Sequence, residues 1–110
     1  MLPKKLEEMN ADYDRFINAW GTSSQVLKTI GEMAELIEVL SRELISIERI
    51  TKGFYQSPTF EEILDEIADV YLMIEQLAFI FSRPRVKEII AEKLEYALGL
   101  VEAYEGENQK

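Results

Sequence analysis

Apolar residues recur at steps of three and four through almost the whole chain, and that period decides what it can fold into. The clearest run is Val26, Ile30, Met33, Ile37, Leu40, Leu44 and Ile47, a heptad-like seam over more than three turns. A second seam, Ile63, Ile67, Val70, Ile74, Leu77 and Phe81, places another helix over about 60–82. Leu6, Met9, Tyr13, Phe16 and Ile17 predict a first helix over about 4–19, closed by Gly21. Val86, Ile89, Ile90, Leu94, Leu98 and Val101 predict a last one, with Pro84 in or just before its first turn. No stretch alternates as a half-buried strand does.

The expected fold is therefore all-α, one domain over 1–110, with a tail fraying from about 105. Thr22 with Gln25, or Ser23, offers a capping start for helix 2, and Thr59 with Glu62 a capping box for helix 3. Gly53 and Pro58 break the pattern between them. A helix 2 of some 28 residues is about 42 Å long, more than a compact domain of this size is wide. That predicts a homo-oligomer, dimer or tetramer, with the hairpin of helices 2 and 3 in the interface.

Charge and missing residue types narrow the chemistry. With 21 acidic against 12 basic residues the formal net charge is −9, which disfavours binding nucleic acid through a broad basic surface. There is no cysteine and no histidine, so thiolate and imidazole ligation and His-based acid–base catalysis are excluded. The start "MLPKKLEEMN" lacks the apolar core of a signal peptide, and no apolar run reaches the roughly 20 residues that span a bilayer. A cytoplasmic, soluble protein without a membrane partner is the expectation.

Two short stretches hold the candidate site. "GEMAELIEVL" sets Glu32, Glu35 and Glu38 three residues apart, where like charges repel. "DEIADVYLMI" embeds Asp69 in an apolar run with no Lys or Arg one turn away and Glu66 one turn back. Desolvating a carboxylate without a partner is costly, so both stretches call for a cation. Spacing of i, i+3 turns each pair to one face, and two antiparallel helices can set Glu32 and Glu35 opposite Glu66 and Asp69. Four carboxylates make an all-oxygen set suited to Mg²⁺ or Mn²⁺. The bland alternative is a solvated acidic face.

The order "GEMAELIEVL" then "DEIADVYLMIEQL" resembles the E-x-x-E and E-x-x-D signature of the MazG-like all-α nucleoside triphosphate pyrophosphohydrolases. "AWGTSSQVLKTIGE" is similar to the segment that leads into the first motif in their small, phage-type branch, and "VKEIIAEKLEYAL" to their closing helix. The likeness covers roughly residues 18–98. It implies a four-to-five-helix bundle built on the hairpin of helices 2 and 3 and completed by oligomerisation. It also implies Mg²⁺-dependent hydrolysis of a nucleoside triphosphate, ribo or deoxy, to the monophosphate and pyrophosphate, by water attacking the α-phosphorus. Glu32, Glu35, Glu66 and Asp69 are then the metal ligands, with one of them or Glu38 orienting the water.

Lys28 and Lys93 are candidates for phosphate oxygens. Trp20, the sole tryptophan, either stacks on the base or plugs the core, and Gln25 either reads a base edge or caps a helix. Phe54 and Tyr55 are lid candidates, and Met33 and Met73 are expected in the core. Two other readings stand beside this one. Phosphoribosyl-ATP pyrophosphohydrolase resembles the same superfamily, but its usual His after the second motif is missing here. A non-catalytic acidic helical interaction protein is the rival from another class.

Overall fold

The computed structural model describes residues 5–44 and 58–108, and among them the chain is all-helical with no strand. A 3₁₀ turn, Leu6–Glu8, precedes α1 (Asn10–Trp20), α2 (Thr22–Arg42), α3 (Pro58–Phe81) and α4 (Arg83–Asn108). The chain falls into two compact units, Met1–Phe79 and Ile80–Lys110.

In the first unit Tyr13 is fully buried and organises its neighbours. Its hydroxyl donates to the Leu6 carbonyl at 3.1 Å, and its ring lies tilted against Phe79, centroids 5.7 Å apart. One side chain thus joins the 3₁₀ turn, α1 and α3. At the α1–α2 junction Gly21 has φ 88 and ψ 151, a region essentially closed to residues with a Cβ. Its N–H donates to Ile17 O at 2.7 Å, ending α1, and its carbonyl accepts from the Gln25 N–H at 3.2 Å, starting α2.

Helices α2 and α3 run antiparallel. Gln76 Nε2, late in α3, donates to Gln25 Oε1, early in α2, at 2.9 Å. At the other end Arg42 Nη2 meets Glu62 Oε1 at 2.7 Å. Val39, Ile63, Met73 and Ala78 are buried, as are Gln25, Thr29 and Gln76, and the Thr29 hydroxyl donates to Gln25 O at 2.9 Å.

Several expectations are corrected. The apolar seam of helix 2 is not its buried face. Ile30, Met33, Ile37, Leu40 and Leu44 are exposed, while the row Gln25, Thr29 and Val39 is buried. On α3, Ile63 is buried, yet Ile67, Ile74 and Phe81 are exposed. One polar pair of the inner row, Gln25 with Gln76, is satisfied across the two helices, so burying it leaves neither amide without a partner. Of the two methionines expected in the core, Met73 is there and Met33 is not.

α2 stops at Arg42, where the Glu43 N–H donates to Val39 O, and 21 residues span about 32 Å. The length argument for an oligomer therefore fails. α1 starts at Asn10 because Met9 leaves helical geometry at ψ 18 after the 3₁₀ turn. No side-chain cap forms at the start of α2, since Gly21 stands at the cap and the Gln25 side chain is committed to Gln76.

In the second unit, Ser82 Oγ accepts from the Arg85 N–H at 3.3 Å and caps α4, with Pro84 in the first turn. Arg85 pairs with Glu88 at 3.0 Å and Glu92 at 3.6 Å. α4 is helical through Asn108 where fraying was expected, and none of its residues is buried. Ile47, Gly53, Phe54, Tyr55 and the Thr59 side chain lie outside the described residues. No helix among those described is long and apolar enough to cross a membrane.

Candidate metal centre

The antiparallel register of α2 and α3 brings the two acidic stretches face to face. One carboxylate oxygen from each of Glu32, Glu35 and Glu66 lies within 4.8 Å of the others, and the same holds for Asp65, Glu66 and Asp69. Glu66 belongs to both triads and links them. All four carboxylates expected from the sequence thus lie in the two joined triads. Asp65 was missed, although the spacing of Asp65 and Asp69, i and i+4 across a turn that also holds Glu66, is a legible signal of a shared face.

The electrostatics are those of crowded like charges. Glu32 is pushed above the ordinary carboxylate range, first by loss of solvent, then by the charges of Glu35 and Asp69 and a hydrogen bond with Glu35, with Lys28 opposing the rise. Glu66 is raised by desolvation first, then by Glu35, Asp69, Glu32 and Asp65. Asp69 acts on both residues, so its charge is felt across the helix pair. Oε2 of Glu32 and Oε2 of Glu66 are shielded from solvent and have no hydrogen-bond partner. A shielded anionic oxygen without a donor is an unfavourable arrangement that a cation relieves. With oxygen donors only, the set fits a hard divalent ion such as Mg²⁺ or Mn²⁺ and offers zinc no sulfur or imidazole.

The other candidates divide. Glu38 is exposed on α2 and belongs to neither triad. Lys28 is exposed and near enough to Glu32 to lower its proton affinity. Gln25 neither caps nor presents its carbonyl to solvent: it is buried, with Oε1 taken by Gln76. Trp20 is 60% exposed, so it does not plug the core. Its indole stacks on Phe16, centroids 5.7 Å apart and planes within 15°, beside a shallow concavity lined by Asp12, Arg15 and Ala19. Lys93 is exposed on α4, in the second unit.

In comparisons with known proteins, no family model, no curated protein and no solved structure matches this chain.

Proposed function

We propose that the chain is a Mg²⁺-dependent nucleoside triphosphate pyrophosphohydrolase whose centre is the acidic face between α2 and α3. The observation that carries this reading is the meeting of Glu32, Glu35 and Glu66 from two helices, with solvent-shielded, unpartnered oxygens on Glu32 and Glu66. The order of the two acidic motifs and their likeness to MazG-like enzymes supply the reaction class.

Glu32, Glu35, Glu66 and Asp69 hold the cation, and Asp65 stands beside Asp69 as a further oxygen donor. A bound Mg²⁺ supplies charge neutralisation at the phosphates and acidifies water near neutral pH. Water attacks the α-phosphorus, and the bond from that phosphorus to the α,β-bridging oxygen breaks. The bridging oxygen leaves with pyrophosphate, and the monophosphate remains. The attacking water loses its proton to a carboxylate. One of these four carboxylates takes that part. Glu38, outside both triads, is the weaker candidate for orienting the water. Lys28, adjacent to the cluster, offers a charge to phosphate oxygens, and Trp20 presents an open aromatic face to a base. Lys93 stays a phosphate candidate on the likeness of its helix alone.

The test is pyrophosphate release from a panel of canonical and modified nucleoside triphosphates with Mg²⁺, with Mn²⁺ and with EDTA, for the wild type and Asp69→Asn. Metal-dependent release that the variant loses supports the enzyme. No release from any nucleotide overturns it. The second reading, a non-catalytic interaction protein, is favoured by the exposed apolar rows on α2 and α3. It predicts that Asp69→Asn is silent or stabilising, since the change relieves repulsion with Glu66.

A further inference from the structure

We propose that the concavity on α1 is a guanine subsite, in which Trp20 stacks on the base and Asp12 and Arg15 select it. The assignment rests on the proposed function for the triphosphate that carries the base, whereas the subsite itself is argued from α1 alone.

Asp12, Arg15, Phe16, Ala19 and Trp20 stand at i, i+3, i+4, i+7 and i+8, so one face of α1 lines the concavity. Its volume of about 330 Å³ is at the small end of ligand sites, which suits a single base. A lone indole on a surface turns freely, but the Trp20 ring is stacked on Phe16 with planes within 15° while staying 60% exposed. Its open face is thus held in one orientation before a ligand arrives, which lowers the cost of stacking a base on it. Ala19, one turn from Arg15 and next to Trp20, adds only a methyl group to the floor, where a longer side chain would fill the space.

The polar end of the concavity names the base. A carboxylate offers two acceptor oxygens, and a guanidinium offers donors in a fixed fork. Guanine alone among the common bases sets two N–H donors side by side, at N1 and N2. Its rim continues with two acceptors, O6 and N7, the pair that a guanidinium meets bidentately. Adenine, cytosine and uracil each place an acceptor beside their donor, where the second carboxylate oxygen repels it. Asp12 matches the donor pair and Arg15 the acceptor pair, and their i, i+3 spacing makes them neighbours on the helix surface.

The experiment uses the full chain in EDTA, so that hydrolysis plays no part in the readout. Trp20 is the sole tryptophan, and its fluorescence reports this place and no other. Guanosine monophosphate is expected to quench it saturably. Its dissociation constant is expected to lie at least about five-fold below those of inosine monophosphate, which lacks the N2 amine, and of the adenosine, cytidine and uridine monophosphates. Asp12→Asn, which exchanges one acceptor for a donor, is expected to abolish that preference with unchanged helical circular dichroism. Ala19→Leu is expected to abolish quenching by every base. Equal quenching by all these nucleotides, a guanine preference that Asp12→Asn leaves intact, or no quenching at millimolar guanosine monophosphate overturns the proposal. A chain that prefers guanine but releases no pyrophosphate from any triphosphate keeps the subsite and overturns the hydrolase. Pyrophosphate release without the guanine preference does the reverse.

Discussion

The buried side of the α2–α3 pair mixes Gln25, Thr29 and Gln76 with Val39, Ile63 and Met73 and borders the acidic cluster of Glu32, Glu35 and Glu66, whereas Ile30, Ile37, Ile67 and Tyr71 are exposed. A helix pair held by apolar contact alone would bury no amides. The inward face is held in part through specific pairs, Gln25 with Gln76 and Arg42 with Glu62, and under the proposed function a cation adds to them. The proposed function is placed among the polar groups, where an acidic cluster with shielded oxygens on Glu32 and Glu66 is retained at a cost in stability.

The largest expected effect tests the inward face. Glu66→Gln removes the carboxylate common to both triads. Outer-shell partners of metal ligands already cost 10- to 100-fold when mutated, so pyrophosphate release is expected to fall by on the order of a hundred-fold or more with circular dichroism unchanged.

Next comes the buried amide pair. Gln76→Ala leaves Gln25 Oε1 without its donor, and chemical denaturation is expected to show a loss of about 1–3 kcal/mol. Gln25→Leu combined with Gln76→Leu is expected to recover most of it, because no buried polar group is then left unpaired. A loss as large in the double variant as in Gln76→Ala would mean that the glutamines do more than satisfy each other.

The pH dependence comes third. Glu32 and Glu66 bind protons more tightly in the folded chain than in the unfolded one, whose carboxyl value is 4.5. Their contribution to stability is thus full below 4.5 and is lost as pH rises through their raised folded values. In EDTA the melting temperature is expected to fall as pH increases from about that value toward neutrality, other groups being equal, and Glu66→Gln flattens the trend. With millimolar Mg²⁺ the neutral-pH loss is expected to disappear. The smallest effect belongs to Arg42→Ala at the end of the helix pair. Both partners of the Arg42–Glu62 bridge are about half exposed, so the melting temperature is expected to stay within error in physiological salt.

How much of this the sequence disclosed follows from what periodicity reports. The steps of three and four gave the helix type, the hairpin of α2 and α3, and the stop at Gly21. The i, i+3 spacing of Glu32 with Glu35 and of Glu66 with Asp69 put each pair on one face before any coordinate. Periodicity says which residues share a face, but not which face is turned inward. That choice was made by Gln25 and Gln76, residues 51 apart, and no local pattern encodes their pairing. The end of α2 at Arg42 has the same character, since Ser41, Arg42 and Glu43 hold no glycine or proline and the bridge reaches Glu62, 20 residues on. Asp65 lies outside the two i, i+3 pairs, and it joins the cluster through the i, i+4 step to Asp69.

The most direct test of the central claim, that the inward acidic face holds a divalent cation, is a titration of the chain with Mn²⁺ followed by electron paramagnetic resonance. The account predicts saturable binding that Mg²⁺ competes away and that Glu66→Gln removes. Weak, non-saturating binding, equal in the wild type and the variant, would contradict it and leave the glutamates as a charged surface alone.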